Sequence, residues 1–226
     1  MILAAILFAI ILFGPNLWAA RILKKFNYCR NDIPGTGGEF AEHLLKQLEL
    51  EKCKVKFSDQ KNIDHYNPST KTVVLSKIHH ESNSLTAIVI AAHEVGHAIQ
   101  DAQGSKLLNL RTKLVMLTNR FEKIASLLLF SAPILTFFFK VPMLGAATFL
   151  LAIAVMSSPI FIHLITLPVE YDASFNKAMP ILKSGYVNNK DIGYSRKILT
   201  ACTLTYLAAS LVSLLNFYRW IRILKK

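Results

Sequence analysis

Cysteine is scarce in this chain and acid is outnumbered. Cys29, Cys53 and Cys202 stand alone among 226 residues, widely spaced and in no Cys-x-x-Cys pair. An odd, dispersed set argues against a disulfide framework and against thiolate zinc ligands, so the three read as packed or incidental thiols. The one glycine cluster, Pro-Gly-Thr-Gly-Gly at 34–38, has no Gly-Lys-Ser/Thr and no buried strand ahead of it. A phosphate loop is thereby set aside in favour of a turn that starts a helix. There is no internal repeat and no low-complexity tract. The first segment lacks a basic leading region and a clear small-residue cleavage site, so it reads as an anchor and not as a removed signal peptide.

Asp and Glu number 14 against 26 Lys and Arg, a formal net charge of +12. The excess does not point to nucleic acid. Arg21, Lys24, Lys25 and Arg30 follow the first apolar segment, and Arg219, Arg222, Lys225 and Lys226 close the chain. There they meet the anionic headgroups of a lipid bilayer and set topology. A lipid partner is expected and a nucleic-acid partner is not.

Hydrophobic residues make up 53% of the chain, above the ~45–50% of a soluble domain. Residues 1–20 and 124–139 are uncharged, and 141–167 carry nothing ionisable except His163. Each is near or above the ~18–20 residues that a spanning helix needs. Residues 201–217 are short and sprinkled with hydroxyls, able to span or to lie against the protein. The expected plan is an anchor (1–20), a catalytic region (21–123), a transmembrane hairpin (124–167), a polar helical region (168–200) and a last apolar segment with a basic tail (201–226). That gives three transmembrane helices, and a fourth if 201–217 crosses. An uncharged N-terminus followed by basic residues places 21–123 on the cytoplasmic side. A crossing at 201–217 would put the basic tail outside, against the same rule.

Within the polar parts, Phe40, Leu44, Leu45 and Leu48 have helical spacing, and "CKVKFSDQ" alternates as a short strand. A turn at Asn67-Pro68-Ser69 precedes a strand at Lys71–Leu75, then a helix at about 83–102 that ends near Gly104. That helix holds "AIVIAAHEVGHAIQDAQG", residues 87–104. His93 and His97, four apart, project from one helix face and can aim two imidazoles at one tetrahedral zinc. Glu94 lies about 100° round from His93, close enough to take a proton from water activated by the metal without itself ligating. Gly96 leaves one face bare for another element to approach. The class is mostly α with a short sheet, an α+β membrane protein with a zincin-like core around the motif helix.

A catalytic zinc takes a third protein ligand. His65, His79, His80, His163, Glu170 and Asp172 can all supply one. His79 and His80 sit just before the motif helix, in what reads as an exposed loop. His163 lies in an apolar segment, where an ionisable group is either functional or bonded to a carbonyl. Glu170 and Asp172 emerge where the third apolar segment ends, and an out-and-back hairpin returns them to the side that holds His93.

Taken in order, "DHYNPSTKTVVLS", "AAHEVGHAIQ" and "TLPVEYDAS", with the hairpin between the last two, strongly resemble the YugP-like membrane zinc metallopeptidases. The resemblance implies one zinc per chain held by His93, His97 and Glu170, with Glu94 as general base. It implies an endopeptidase acting on peptides or on unfolded and membrane-associated proteins in a bacterial inner membrane. In the wider group, an aspartate four residues after the glutamate orients a ligating histidine. Here that position is Ser174, with Asp172 displaced by two, so either or neither does that work. The resemblance also implies a substrate strand laid along an exposed sheet edge at Lys71, Thr72, Val73, Val74 and Leu75, although Val73, Val74 and Leu75 are equally readable as core. Tyr206, Tyr171, His163 and Arg196 are chemically able to stabilise an oxyanion. An intramembrane zinc protease is disfavoured by Gln100, Asp101 and Gln103 so close to the motif, and by the absence of Leu-Asp-Gly. A non-catalytic zinc- or lipid-binding protein would have no use for Glu94.

Overall fold

A computed structural model describes residues 2–59, 63–140, 142–156 and 158–205. The chain divides into two compact units, Met1–Asn109 with Leu167–Ala208, and Leu110–Thr166 with Ala209–Lys226.

The first unit opens with α1 (Ile2–Lys25) and α2 (Gly37–Gln47). The glycine cluster is a helix start, as expected. The Thr36 hydroxyl accepts from the Glu39 amide (3.3 Å), and the Glu39 carboxylate accepts from the Thr36 amide (2.8 Å), satisfying two donors that a bare helix end would leave orphaned. Phe40, Leu44 and Leu45 are buried, whereas Leu48 lies past the helix and is exposed. In the loop before α2, Arg30 bonds Asp32 and Asp191 at 2.6 and 2.8 Å. It ties this loop to Asp191, 161 residues further along the chain.

The sheet has three strands, β1 (Lys54–Ser58), β2 (His65–Asn67) and β3 (Thr72–Ser76), in the order β1-β3-β2. β1 runs parallel to β3 from Lys54↔Thr72 to Ser58↔Ser76, and β2 pairs antiparallel with it through His65↔Val74. The turn after β2 is closed by Asn67 Oδ1, which accepts from the amides of Ser69 (3.0 Å) and Thr70 (3.3 Å). Lys71, at φ 51°, belongs to this turn. Its Nζ meets Asp101 Oδ2 at 2.6 Å, and Tyr66 donates to the same oxygen at 2.6 Å, so the sheet is fastened to the end of the motif helix. The expected substrate edge at 71–75 is therefore corrected. β3 is the central strand, paired on both sides over 72–74, and Val73 and Leu75 are fully buried in the core.

After the short α3 (Lys77–His80) comes α4 (Leu85–Ala102), capped by the Ser84 hydroxyl, which accepts from the Ala87 amide, and followed by Gly104 at φ +69°. Every residue from Leu85 to Ala98 is buried, so the motif helix is the core of its unit. α7 (Ser158–Tyr171) continues through a π-helical stretch (Asp172–Ala178) that crosses α4. A Cβ on Gly96 would stand 2.7 Å from the Ala173 carbonyl oxygen; only glycine admits this approach. A second π stretch (Leu182–Tyr186), a 3₁₀ turn (Asn189–Asp191) and a helix at 192–205 complete the unit. Leu182, Ile198 and Leu199 join Leu44, Val89 and Val95 in one cluster.

The second unit contains most of α5 (Lys106–Phe139), α6 (Pro142–Met156) and the start of α7, with α5 ending before Lys140, φ 52°. Among the described residues no helix is long and apolar enough to cross a membrane, so the expectation of three or four transmembrane helices is corrected. The 34 residues of α5 begin with a half that carries Lys106, Arg111, Lys113, Arg120, Glu122 and Lys123. In α1 the apolar run from Ile2 is broken at Gly14-Pro15-Asn16. The proposed crossing at 201–217 lies outside the described residues from 206 onward.

Candidate metal centre

The one-turn spacing on α4 sets the His93 and His97 rings edge to face with centroids 4.8 Å apart. Glu170 enters from the last turn of α7, its approach opened by Gly96. Glu170 Oε2 lies 3.2 Å from His93 Nε2 and 3.3 Å from His97 Nε2, and all three side chains are buried. Among the described residues these are the three that bring metal-ligating atoms together, all within 4.8 Å of one another. Tetrahedral ligands about 2.0–2.1 Å from a zinc ion stand about 3.3 Å apart. The residues therefore fit zinc in donor type and in spacing.

Their protonation points the same way. Gln100 Nε2 donates to the Val169 carbonyl (2.9 Å) and to Asp172 Oδ2 (2.7 Å). These are acceptors only, so the amide orientation is fixed and its oxygen faces His97 Nδ1 at 2.9 Å. His97 thus carries a proton on Nδ1. A second chain fixes His93. Thr203 donates its hydroxyl proton to the Leu199 carbonyl (3.1 Å), so it accepts from Ser174 (3.2 Å), and Ser174 in turn accepts from His93 Nδ1 (3.0 Å). With both Nδ1 protons committed, Nε2 of each ring is the atom that faces Glu170, a donor to the carboxylate while the ring is charged and a bare lone pair when it is neutral. Burial pushes the Glu170 carboxyl up, but the charge of His97 and the hydrogen bonding of both rings outweigh it and hold the group well below the usual carboxylate range. Two ring lone pairs converging with a carboxylate oxygen form a coordination set.

The choice between Ser174 and Asp172 resolves into both, each on a different ring. Ser174 holds His93 directly, and Asp172 holds His97 through Gln100. Burial raises the Asp172 carboxyl, but hydrogen bonds from Gln100 and Asn176 bring it below its ordinary value. Gln100 was legible in principle. It lies three residues after His97, on the same helical face, where a side-chain amide can reach the ring. Replacing it by alanine is expected to weaken zinc 10- to 100-fold, measured by competition with a chromophoric chelator, with Ser174→Ala falling in the same range.

Glu94, the next residue on α4, is buried outside the ligand cluster and lines a cavity of about 700 Å³ together with His93. Cys202 lines it too. Burial, then the charges of Glu94 and Glu170, push its thiol well above the ordinary range, which suits a packed thiol and not a ligand. Of the oxyanion candidates, Tyr171 and Arg196 do not line this cavity. Tyr171 is exposed and stacks on Phe175, Arg196 is exposed, His163 belongs to the second unit and Tyr206 lies outside the described residues. His65 is exposed on β2 and His80 packs against Phe57; neither joins the cluster.

Comparison with known proteins agrees with this geometry. The family described as "Putative neutral zinc metallopeptidase" matches residues 1–225. The chain is similar to the protein named "Putative membrane protease YugP" of Bacillus subtilis (strain 168), with 33% identity over 214 residues, 93% of this chain and 92% of that protein. No solved structure matches. A match along nearly the whole length, with the two histidines and the glutamate assembled inside it, means that the chain belongs to this family, described as "Putative neutral zinc metallopeptidase".

Proposed function

We propose that this chain is an endopeptidase that hydrolyses peptide bonds in peptides and in unfolded or membrane-associated proteins, working against an anionic lipid surface with one zinc per chain. The observation that carries the reading is Glu94, held beside the ligand set and facing the cavity, where a purely structural metal site has no use for a carboxylate. When bound, zinc supplies Lewis acidity, polarising the scissile carbonyl and acidifying water to a pKa of about 7. His93, His97 and Glu170 would hold it, and Ser174 and Gln100 keep the two rings from turning. Glu94 takes the proton from the attacking water and passes it to the departing amine, so that water and peptide become a carboxylate and an amine. The lipid surface is supported by exposed Arg21, Lys24 and Lys25 at the end of α1, and by the description of the Bacillus relative as a membrane protease.

The test is cleavage of an unfolded protein by the purified chain. Cleavage is expected to stop on chelation and to return with zinc. A chain holding one zinc that leaves a panel of unfolded proteins and peptides intact would sink the peptidase reading.

A further inference from the structure

The cavity that contains Glu94 has a second imidazole in its wall. His79, from α3, and Asp64, just before β2, both line it. Asp64 Oδ2 lies 2.8 Å from His79 Nδ1. Ser76, at the end of β3, donates its amide (2.7 Å) and its hydroxyl (3.0 Å) to Asp64 Oδ1, and its hydroxyl oxygen lies 3.0 Å from the same His79 Nδ1. The directions of these bonds follow from the chemistry. The Ser76 proton goes to the carboxylate, so its oxygen can only accept from His79, and Nδ1–H is held between two acceptors. Nε2, which makes no hydrogen bond to any described residue, is the atom left for the cavity.

From this arrangement we infer that His79 is a catalytic residue of the peptidase, hydrogen-bonding from Nε2 to the substrate carbonyl oxygen as it gains negative charge. The inference rests on the peptidase reading above. Asp64 is its positioning residue. It fixes the ring and offsets the charge of an imidazolium that donates from both nitrogens. Ser76 is fully buried and His79 only 5% exposed, so the donor is set before substrate arrives, as electrostatic stabilisation of a transition state requires. Lys24 also lines the cavity, but its side chain is exposed at the end of α1, and a solvated, flexible ammonium is not preorganised. A merely structural role, pinning α3 to the sheet, would predict that stability alone depends on the pair.

The experiment compares zinc-loaded wild type with His79→Gln and Asp64→Asn. It reads kcat and KM on a peptide, and also the affinity of a phosphinic peptide, whose second oxygen mimics the oxyanion. Loss of one such donor lowers kcat by about 10²–10³. His79→Gln is expected to do so with KM within about threefold and zinc content unchanged, and to weaken the phosphinic peptide by a similar factor, because a transition-state mimic tracks kcat/KM. Asp64→Asn, which keeps the size of the side chain, is expected to show a smaller loss in both readouts. Wild-type kcat and wild-type phosphinic affinity in zinc-loaded His79→Gln would overturn the inference while leaving the peptidase intact. Should His79→Gln fail to fold, an Asp64→Asn enzyme unchanged in both readouts overturns it equally. A wild-type chain that neither cleaves peptide nor binds the phosphinic peptide would remove the peptidase reading and this inference together.

Discussion

Glu94→Gln is expected to lose peptide hydrolysis by about 10²–10⁴ in kcat, the contribution of a positioned general base, while binding zinc as wild type does. The substitution keeps volume and removes only the ability to accept and return a proton. Zinc binding should survive because the ligating atoms come from His93, His97 and Glu170, with Glu94 outside that set. Turnover measured beside zinc stoichiometry separates the two effects. Equal turnover by wild type and variant would mean either a contaminating activity or a base elsewhere, and the assignment of Glu94 would fail. Loss of zinc along with activity would instead make Glu94 a ligand, contrary to its place in the cavity.

The second large effect is expected at Glu170. Glu170→Gln removes the one anionic ligand, so the dependence of stability on zinc should vanish. In the wild type, zinc at 1,000 times its Kd adds about 4 kcal/mol to the folded state, and chelation should lower the melting temperature accordingly. In the metal-free state the variant should lose stability as well. There the two rings, 3.2 and 3.3 Å away, hold the buried carboxyl below its ordinary range, so the ionised group favours the folded state at neutral pH, a contribution that glutamine cannot make. The metal-free variant should therefore melt below the metal-free wild type. Calorimetry with and without chelator measures both. A zinc-dependent shift that persists undiminished in Glu170→Gln would place the third ligand elsewhere.

How much of this was legible in the sequence depended on how local each relation is. His93, Glu94 and His97 lie within one and a half turns of one helix, so the 3.6-residue period alone fixes their mutual geometry. The helix start in Pro-Gly-Thr-Gly-Gly and the stop near Gly104 are similarly local. Glu170 lies 73 residues beyond His97; order along the chain and family resemblance pointed to it, while spacing could not. The position of β3 was misjudged because its neighbour β1 pairs in parallel across an intervening strand, a contact with no signature in the alternation of either strand. His79 was set aside as a loop residue because nothing in "SKIHHES" shows that Asp64, 15 residues earlier, folds back onto it. The membrane expectation rests on composition summed over blocks, and a summed composition does not register where Gly14-Pro15-Asn16 breaks the apolar run of α1.

The π-helical stretch Asp172–Ala178 makes this part of the chain sensitive to length more than to identity. Its hydrogen bonds close from i to i+5, one residue more than an α-helical turn holds. Deleting a single residue there would close an ordinary α-helical turn and leave the helix beyond in phase, so Ala178, Met179 and Leu182 would keep their places in the core. The register inside the stretch, where Ser174 meets His93, would be lost. Point substitutions on the exposed side of the stretch, at Asn176 for instance, should be absorbed readily. Among natural variants of this segment, substitutions should accumulate while insertions and deletions stay rare.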